Sequence, residues 1–271
     1  MRPLYLYQNG TRGDVVLARA LARAVLECGA FELTLGVCRG DEDLVTDLER
    51  DGARVRVADY ANTAHGAPLD LAALCPPDAV AIESPLGGYG GLPTRQWPDI
   101  VDAFERELRR RGIAAGFAPA RDEVPMPGLA ALAPMPQLAR PGIYLDIART
   151  RESTCWFVFD VERLARVLPE CDLYCTAPVE GSAPNLIDAS QLDWPHRAAL
   201  ADACVALVGS TRDPFALTLT PANRTKPKAL CGHDARLTQP FWDYPGNPLE
   251  LLATMDELVD FLIANVVEVA A

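Results

Sequence analysis

The chain has no uninterrupted apolar run of the roughly eighteen residues needed by a membrane-crossing helix. Its opening residues, MRPLYLYQNG, pass straight into a strand-like pattern with no signal-peptide core. A cytoplasmic protein without a transmembrane segment is therefore expected. Histidine is scarce: His65, His196 and His233 are the three in 271 residues, and none stands at ligand spacing from another. No metal site is expected. Positive charge is short as well, with 25 lysines and arginines against 37 acids and a net charge of −12. Such a surface repels nucleic-acid phosphates and anionic lipid, so nucleic acid is not an expected partner.

Apolar residues are plentiful at 49%, enough for a substantial core. The 8 cysteines are scattered, most of them inside apolar segments such as LTLGVCRG and ADACVALVG. In a cytosolic chain they read as reduced core residues. Cys171 and Cys175 are the nearest pair, yet along a strand they stand about 13 Å apart, too far to share a metal.

The first half alternates strand and helix. Residues 3–7 (PLYLY), FELTLGV, ARVRVADY and residues 78–84 (DAVAIES) read as strands, and IAAGF reads as a fifth. Residues 14–27 place Val15, Leu17, Ala18, Leu21, Ala22, Val25 and Leu26 at helical spacing, with Gly29 as the stop. DEDLVTDLERDG reads as a short acidic helix, and WPDIVDAFERELRRRG as an amphipathic one ending at Gly112. Residues 118–142 then carry six prolines, at a spacing no helix or central strand accommodates.

Alternation resumes beyond them. IYLDIA, CDLYCTAP, PNLIDA, CVALVGS and KPKALCG read as strands. DVERLARVL and DWPHRAALADA read as helices, the second with Asp193 as N-cap, and NPLELLATMDELVDFLIANVV as one long final helix. The expected fold is α/β, with two Rossmann-like parallel-sheet domains facing across a cleft: 1–120, a connector at 121–141, and 142–271. Ligands of such sheets sit beyond the carboxyl ends of the strands.

QNGTRGDVV follows a strand and opens a helix, with Gly10 and Gly13 at the turn. Backbone N–H groups there can hold an anion. Asp14 reads two ways, as a helix N-cap worth about 1 kcal/mol or as a carboxylate that takes a proton from a sugar hydroxyl. This strand–GDVV–helix start, together with NLIDASQLDWPHRAALADACVALVGS at 185–210, resembles the heptosyltransferase type of GT-B glycosyltransferase.

The resemblance implies transfer of a sugar from a nucleotide-sugar donor to a hydroxyl acceptor, a small molecule or glycan, without metal or separate cofactor. Asp14 matches the family's general base. IARTREST fits the loop that handles donor phosphates, offering Arg149, Arg151, Ser153 and Thr154, with Gly13 at the first turn. The family's D-S/T-G-x-x-H stretch is replaced by GSTRDPFAL, which keeps Ser210 and Thr211 but puts Arg212 and Asp213 where glycine would follow. Arg224, Lys226 and Lys228 form a basic group that could rim an anionic donor or simply face water. Tyr89, in SPLGGYGGLP, could contact an acceptor. Two alternatives stand beside transfer: a nucleotide-sugar hydrolase or epimerase, and a non-catalytic nucleotide-binding or partner protein.

Overall fold

Four short β-rich runs of the first half assemble into one parallel sheet. They are β1 (Arg2–Tyr7), β2 (Phe31–Cys38), β3 (Arg54–Ala58) and β4 (Val80–Glu83), in the order β3-β2-β1-β4. The connections carry α1 (Arg12–Glu27), α2 (Thr46–Arg50) and α3 (Leu71–Leu74), and α4 (Trp97–Arg110) follows β4. The computed structural model describes residues 1–7, 12–58, 70–84, 97–113, 117, 119, 128–147, 157–210, 215–232 and 249–267. The expected strand IAAGF falls mostly outside these, as does all but the first residue of SPLGGYGGLP. By its contacts the chain divides into two units, Met1–Pro127 and Gly128–Ala271.

Helix α1 buries Val15, Leu21, Ala22 and Val25 of the apolar stripe visible in the sequence. It stops at Gly29, whose φ of 64° is left-handed and closes the helix. Its other face carries Arg12, Arg19 and Arg23, and these meet the acidic run that follows β2. Arg19 is 1% exposed and binds Asp47 through both guanidinium nitrogens, at 2.7 and 2.6 Å, and also the Leu44 carbonyl. Arg23 binds Asp47 as well. Burial pushes the Asp47 carboxyl up, but its hydrogen bond to Arg19 and the charges of Arg19 and Arg23 outweigh this and hold it below the usual range. Gly36 of β2 leaves room for the buried Tyr5 ring, since a Cβ there would lie 2.2 Å from the Tyr5 hydroxyl.

The second unit is a six-stranded parallel sheet. Its strands are β5 (Gly142–Asp146), β6 (Asp172–Cys175), β7 (Leu186–Asp188), β8 (Ala206–Gly209), β9 (Lys228–Cys231) and β10 (Glu250–Leu252), in the order β10-β9-β8-β5-β6-β7. Counted from β5, this is the doubly wound Rossmann order, with its switch point between β5 and β8. The helices are α5 (Val161–Val167), α6 (Trp194–Ala203) and α7 (Met255–Leu262). One sheet face, through Ile143, Leu145, Leu173, Val208 and Cys231, packs on Leu164, Leu258 and Leu262. Period-two alternation turns Tyr144 and Asp146 to the opposite face, where Ala198, Ala199 and Ala201 of α6 are buried.

The stretch 128–141, expected to connect two domains, falls within the second unit, with a 3-10 turn at Leu129–Leu132 packed on α6. The expected final long helix is interrupted. Glu250–Leu252 pairs with β9 as an edge strand, and Thr254 then starts α7 through a capping box with Glu257. Asp193 caps α6 as expected, accepting from the His196 N–H at 2.9 Å. Among the described residues no helix is long and apolar enough to cross a membrane.

Candidate functional site

The carboxyl ends of β5, β6 and β8 border an open-sided cavity of about 410 Å³. Among the described residues its lining comes from four segments: Ile147 after β5, Phe157–Phe159 and Val161 entering α5, Ala177–Glu180 after β6, and Ser210 after β8. Most of its described side chains are apolar, while polar atoms make up about half of the exposed wall; Ile147, Phe159, Val161 and Val179 also pack on the buried cluster beneath it. Phe157 and Phe159 meet with ring centroids 4.7 Å apart. Val158 between them is 66% exposed. Glu180 brings the one charged side chain among the described lining residues, and it is exposed. The cavity lies at the switch point, where a doubly wound sheet binds its ligand, and its size falls within the range of small-molecule sites.

The floor is fixed by hydrogen bonds around the end of β5. Ser210 donates its N–H at 2.9 Å and its hydroxyl at 3.1 Å to the Asp146 carbonyl. Thr176 donates its N–H to the Leu145 carbonyl at 3.0 Å and its hydroxyl to Asp146 Oδ1 at 2.8 Å. Asp146 is fully buried. Two positions upstream, Tyr144 is fully buried too, and its phenol is pushed well above the usual range by burial and then by the Asp146 charge.

Of the residues singled out in the sequence, the structure puts Ser210 in the cavity wall. Thr211 and Arg212 beside it lie outside the described residues, as do Arg149, Arg151, Ser153 and Thr154 of the expected phosphate loop. Tyr89 lies outside them too. Gly13 is buried and Asp14 half-buried in the first turn of α1. The helix begins at Arg12, so Asp14 is its third residue and not an N-cap. A first-turn acid is favoured by the helix dipole whatever else it does.

Arg224 of the basic group is exposed, as the second expectation has it, but the two lysines behave differently from either. Lys228 is 2% exposed at the amino end of β9, the pole of the sheet away from the cavity. Its ammonium donates to the carbonyls of Asn223, Arg224 and Lys226, and burial brings it down to about 8. Lys226 closes the end of α6 by binding the Ala201 and Asp202 carbonyls. Both are therefore structural, and neither rims a ligand at the cavity. Asn223, in an Asn-x-Thr sequence, is 1% exposed and donates to Asp202 and the Thr218 carbonyl at 2.9 Å each.

Sequence reading passed over the cavity's own wall. FVFD and APVE carry no motif, and only the sheet order makes them neighbours. It also passed over Asp41-Glu42-Asp43, which has the spacing of a D-x-D metal motif. In the structure Asp41 and Asp43 bind Arg12 at 3.1 and 2.9 Å. Among the described residues no group of three or more histidine, cysteine or acidic side chains could hold a metal.

No protein-family model matches the chain, and no curated protein matches it in sequence. Solved structures do. The chain is similar to ADP-heptose lipopolysaccharide heptosyltransferase II of E. coli, with a TM-score of 0.51 and 11% identity over 100% of both chains. A second similarity, to the glycosyltransferase SnogD from Streptomyces nogalater, has a TM-score of 0.42 and 15% identity over 94% of this chain and 87% of that one. At such identities the likeness is one of architecture: the chain has the two-unit, parallel-sheet α/β fold of a GT-B glycosyltransferase.

Proposed function

We propose that the protein transfers a glycosyl group from a nucleotide-sugar to a hydroxyl acceptor without a metal, holding the donor at the cavity of the second unit. The observation that carries this reading is the cavity itself, a space lined by apolar and aromatic side chains together with polar groups at the switch point of a Rossmann-type sheet. The fold shared with a heptosyltransferase supports it.

The described wall suits a nucleoside better than a diphosphate. Phe157, Phe159, Pro178 and Val179 offer apolar surface to a base or sugar face, and Glu180 offers a carboxylate to a hydroxyl pair. Ser210 directs both its donors at the Asp146 carbonyl. The leaving diphosphate then falls to Arg149, Arg151 and Arg212, whose forked guanidinium groups match its oxygens, and to the hydroxyls of Ser153 and Thr211. Asp14 is the general base in this proposal. Its carboxylate removes the acceptor's proton as the acceptor oxygen bonds to the anomeric carbon. The bond from that carbon to the diphosphate breaks, and the nucleoside diphosphate leaves.

The test is turnover of a panel of nucleotide-sugars, with and without hydroxyl acceptors, by the protein and its Asp14→Asn variant. Nucleoside diphosphate release that depends on the acceptor, persists in EDTA and is abolished in the variant is the expected result. Rapid release without acceptor identifies a hydrolase. No release from any donor overturns the proposal.

A further inference from the structure

Asp146 does not line the cavity, yet three of its four wall segments leave the sheet within one hydrogen-bonded group around it. Ile147 follows it directly. Thr176, which gives its hydroxyl to Asp146 Oδ1, opens the segment Ala177–Glu180. Ser210 gives both its donors to the Asp146 carbonyl. A fully buried acid is costly to keep in a fold. Pairing of the β5 and β6 backbones needs no side-chain acceptor at that position, since the Thr176 N–H already bonds Leu145.

We infer that Asp146 is a positioning residue for donor binding, setting the segment that carries Val179 and Glu180 through its bond to Thr176. This rests on the transferase reading for the identity of the ligand, but not for the geometry. Without the carboxylate, the Thr176 hydroxyl loses its partner and the Ala177–Glu180 segment loses its side-chain tie to the central strand. A cavity wall displaced by even a fraction of an ångström binds worse.

The test compares Asp146→Ala, Thr176→Val and the conservative Asp146→Asn with wild type. Asn185→Ala, a destabilised variant at the amino end of β7, serves as control. Affinity is measured with UDP, GDP and ADP, and backbone amide exchange across 176–182 and at Ser210 is followed by mass spectrometry or NMR. The expected result is a loss of about tenfold or more in affinity for Asp146→Ala and Thr176→Val, substantial rescue in Asp146→Asn, and none of this in Asn185→Ala. If wild type binds and Asp146→Ala binds equally well, the positioning role is refuted and the transferase reading stands. If wild type binds none of the three probes, the donor reading falls, and exchange decides the geometry. Faster exchange across 176–182 in Asp146→Ala but not in Asp146→Asn upholds the positioning role, and unchanged exchange refutes it.

Discussion

Replacing Asp47 with alanine is expected to cost more than replacing the arginine it binds. Arg19 has no exposed side-chain surface, whereas Asp47 keeps 13% of its own. Asp47→Ala takes both carboxylate hydrogen bonds away from a buried guanidinium. Breaking a buried pair in this way costs about 3–5 kcal/mol. Arg19→Met fills the same space with an apolar chain and leaves Asp47 paired to Arg23, so its cost is about 1–2 kcal/mol. Urea unfolding reads the difference. With a slope of about 2 kcal/mol per molar for a unit of this size, Asp47→Ala lowers the first unit's midpoint by about 2 M, and Arg19→Met by less than half of that. The difference is present at neutral pH and shrinks in acid. Asp47 is held below its usual range, so its contribution is lost as pH falls through its folded value. Equal costs, or a larger one for Arg19→Met, refute the reasoning.

Three further outcomes are expected. Tyr5 is fully buried and its hydroxyl has no hydrogen-bond partner among the described residues, so Tyr5→Phe is neutral or stabilising by about 1 kcal/mol in thermal unfolding; a clear loss of stability contradicts this. Asn185→Ala removes an amide that donates to the Ala165, Leu168 and Cys171 carbonyls at 3.2, 3.1 and 3.0 Å, and costs about 2–3 kcal/mol with no effect on nucleotide affinity. In alkali, burial holds Tyr5, Cys175 and Cys204 up at about 12 each, so the unfolded chain loses protons that the native one keeps. That stability is fully present below pH 9 and drains away towards pH 12, opposed between about 8 and 10.5 by Lys228 alone of the strongly shifted groups. The melting temperature therefore falls above pH 9, and a continued rise to pH 11 contradicts the assignment.

The elements with local causes were legible in the sequence. Apolar runs bounded by glycine and proline gave the strands, 3.6-residue spacing gave α1 and α4, and Asp193 with Pro195 marked the start of α6. What escaped depends on distant partners. The LELL run has helical spacing, and only pairing with β9 makes part of it a strand. Helix α1 already includes Arg12, ahead of the expected start at Asp14, and the acids that Arg12 binds lie 29 and 31 residues away. The asparagine of NLIDAS, part of the family resemblance, turns out to tie the end of α5 to β7. Ser210, which lines the cavity, was singled out in the sequence because it sits beside a motif-bearing strand end. Phe157, Val179 and Glu180 were not, because a cavity wall built from four separate loops has no sequence spacing to read.

The central claim is that the cavity at the end of β5 receives a nucleotide, and a titration followed residue by residue tests it most directly. Adding UDP, GDP or ADP to isotopically labelled protein should shift the amide resonances of Ile147, Val179, Glu180 and Ser210 with a saturable dependence for at least one of the three. Saturable shifts confined to residues far from these four, or no saturable shifts with any of the three, would contradict the account.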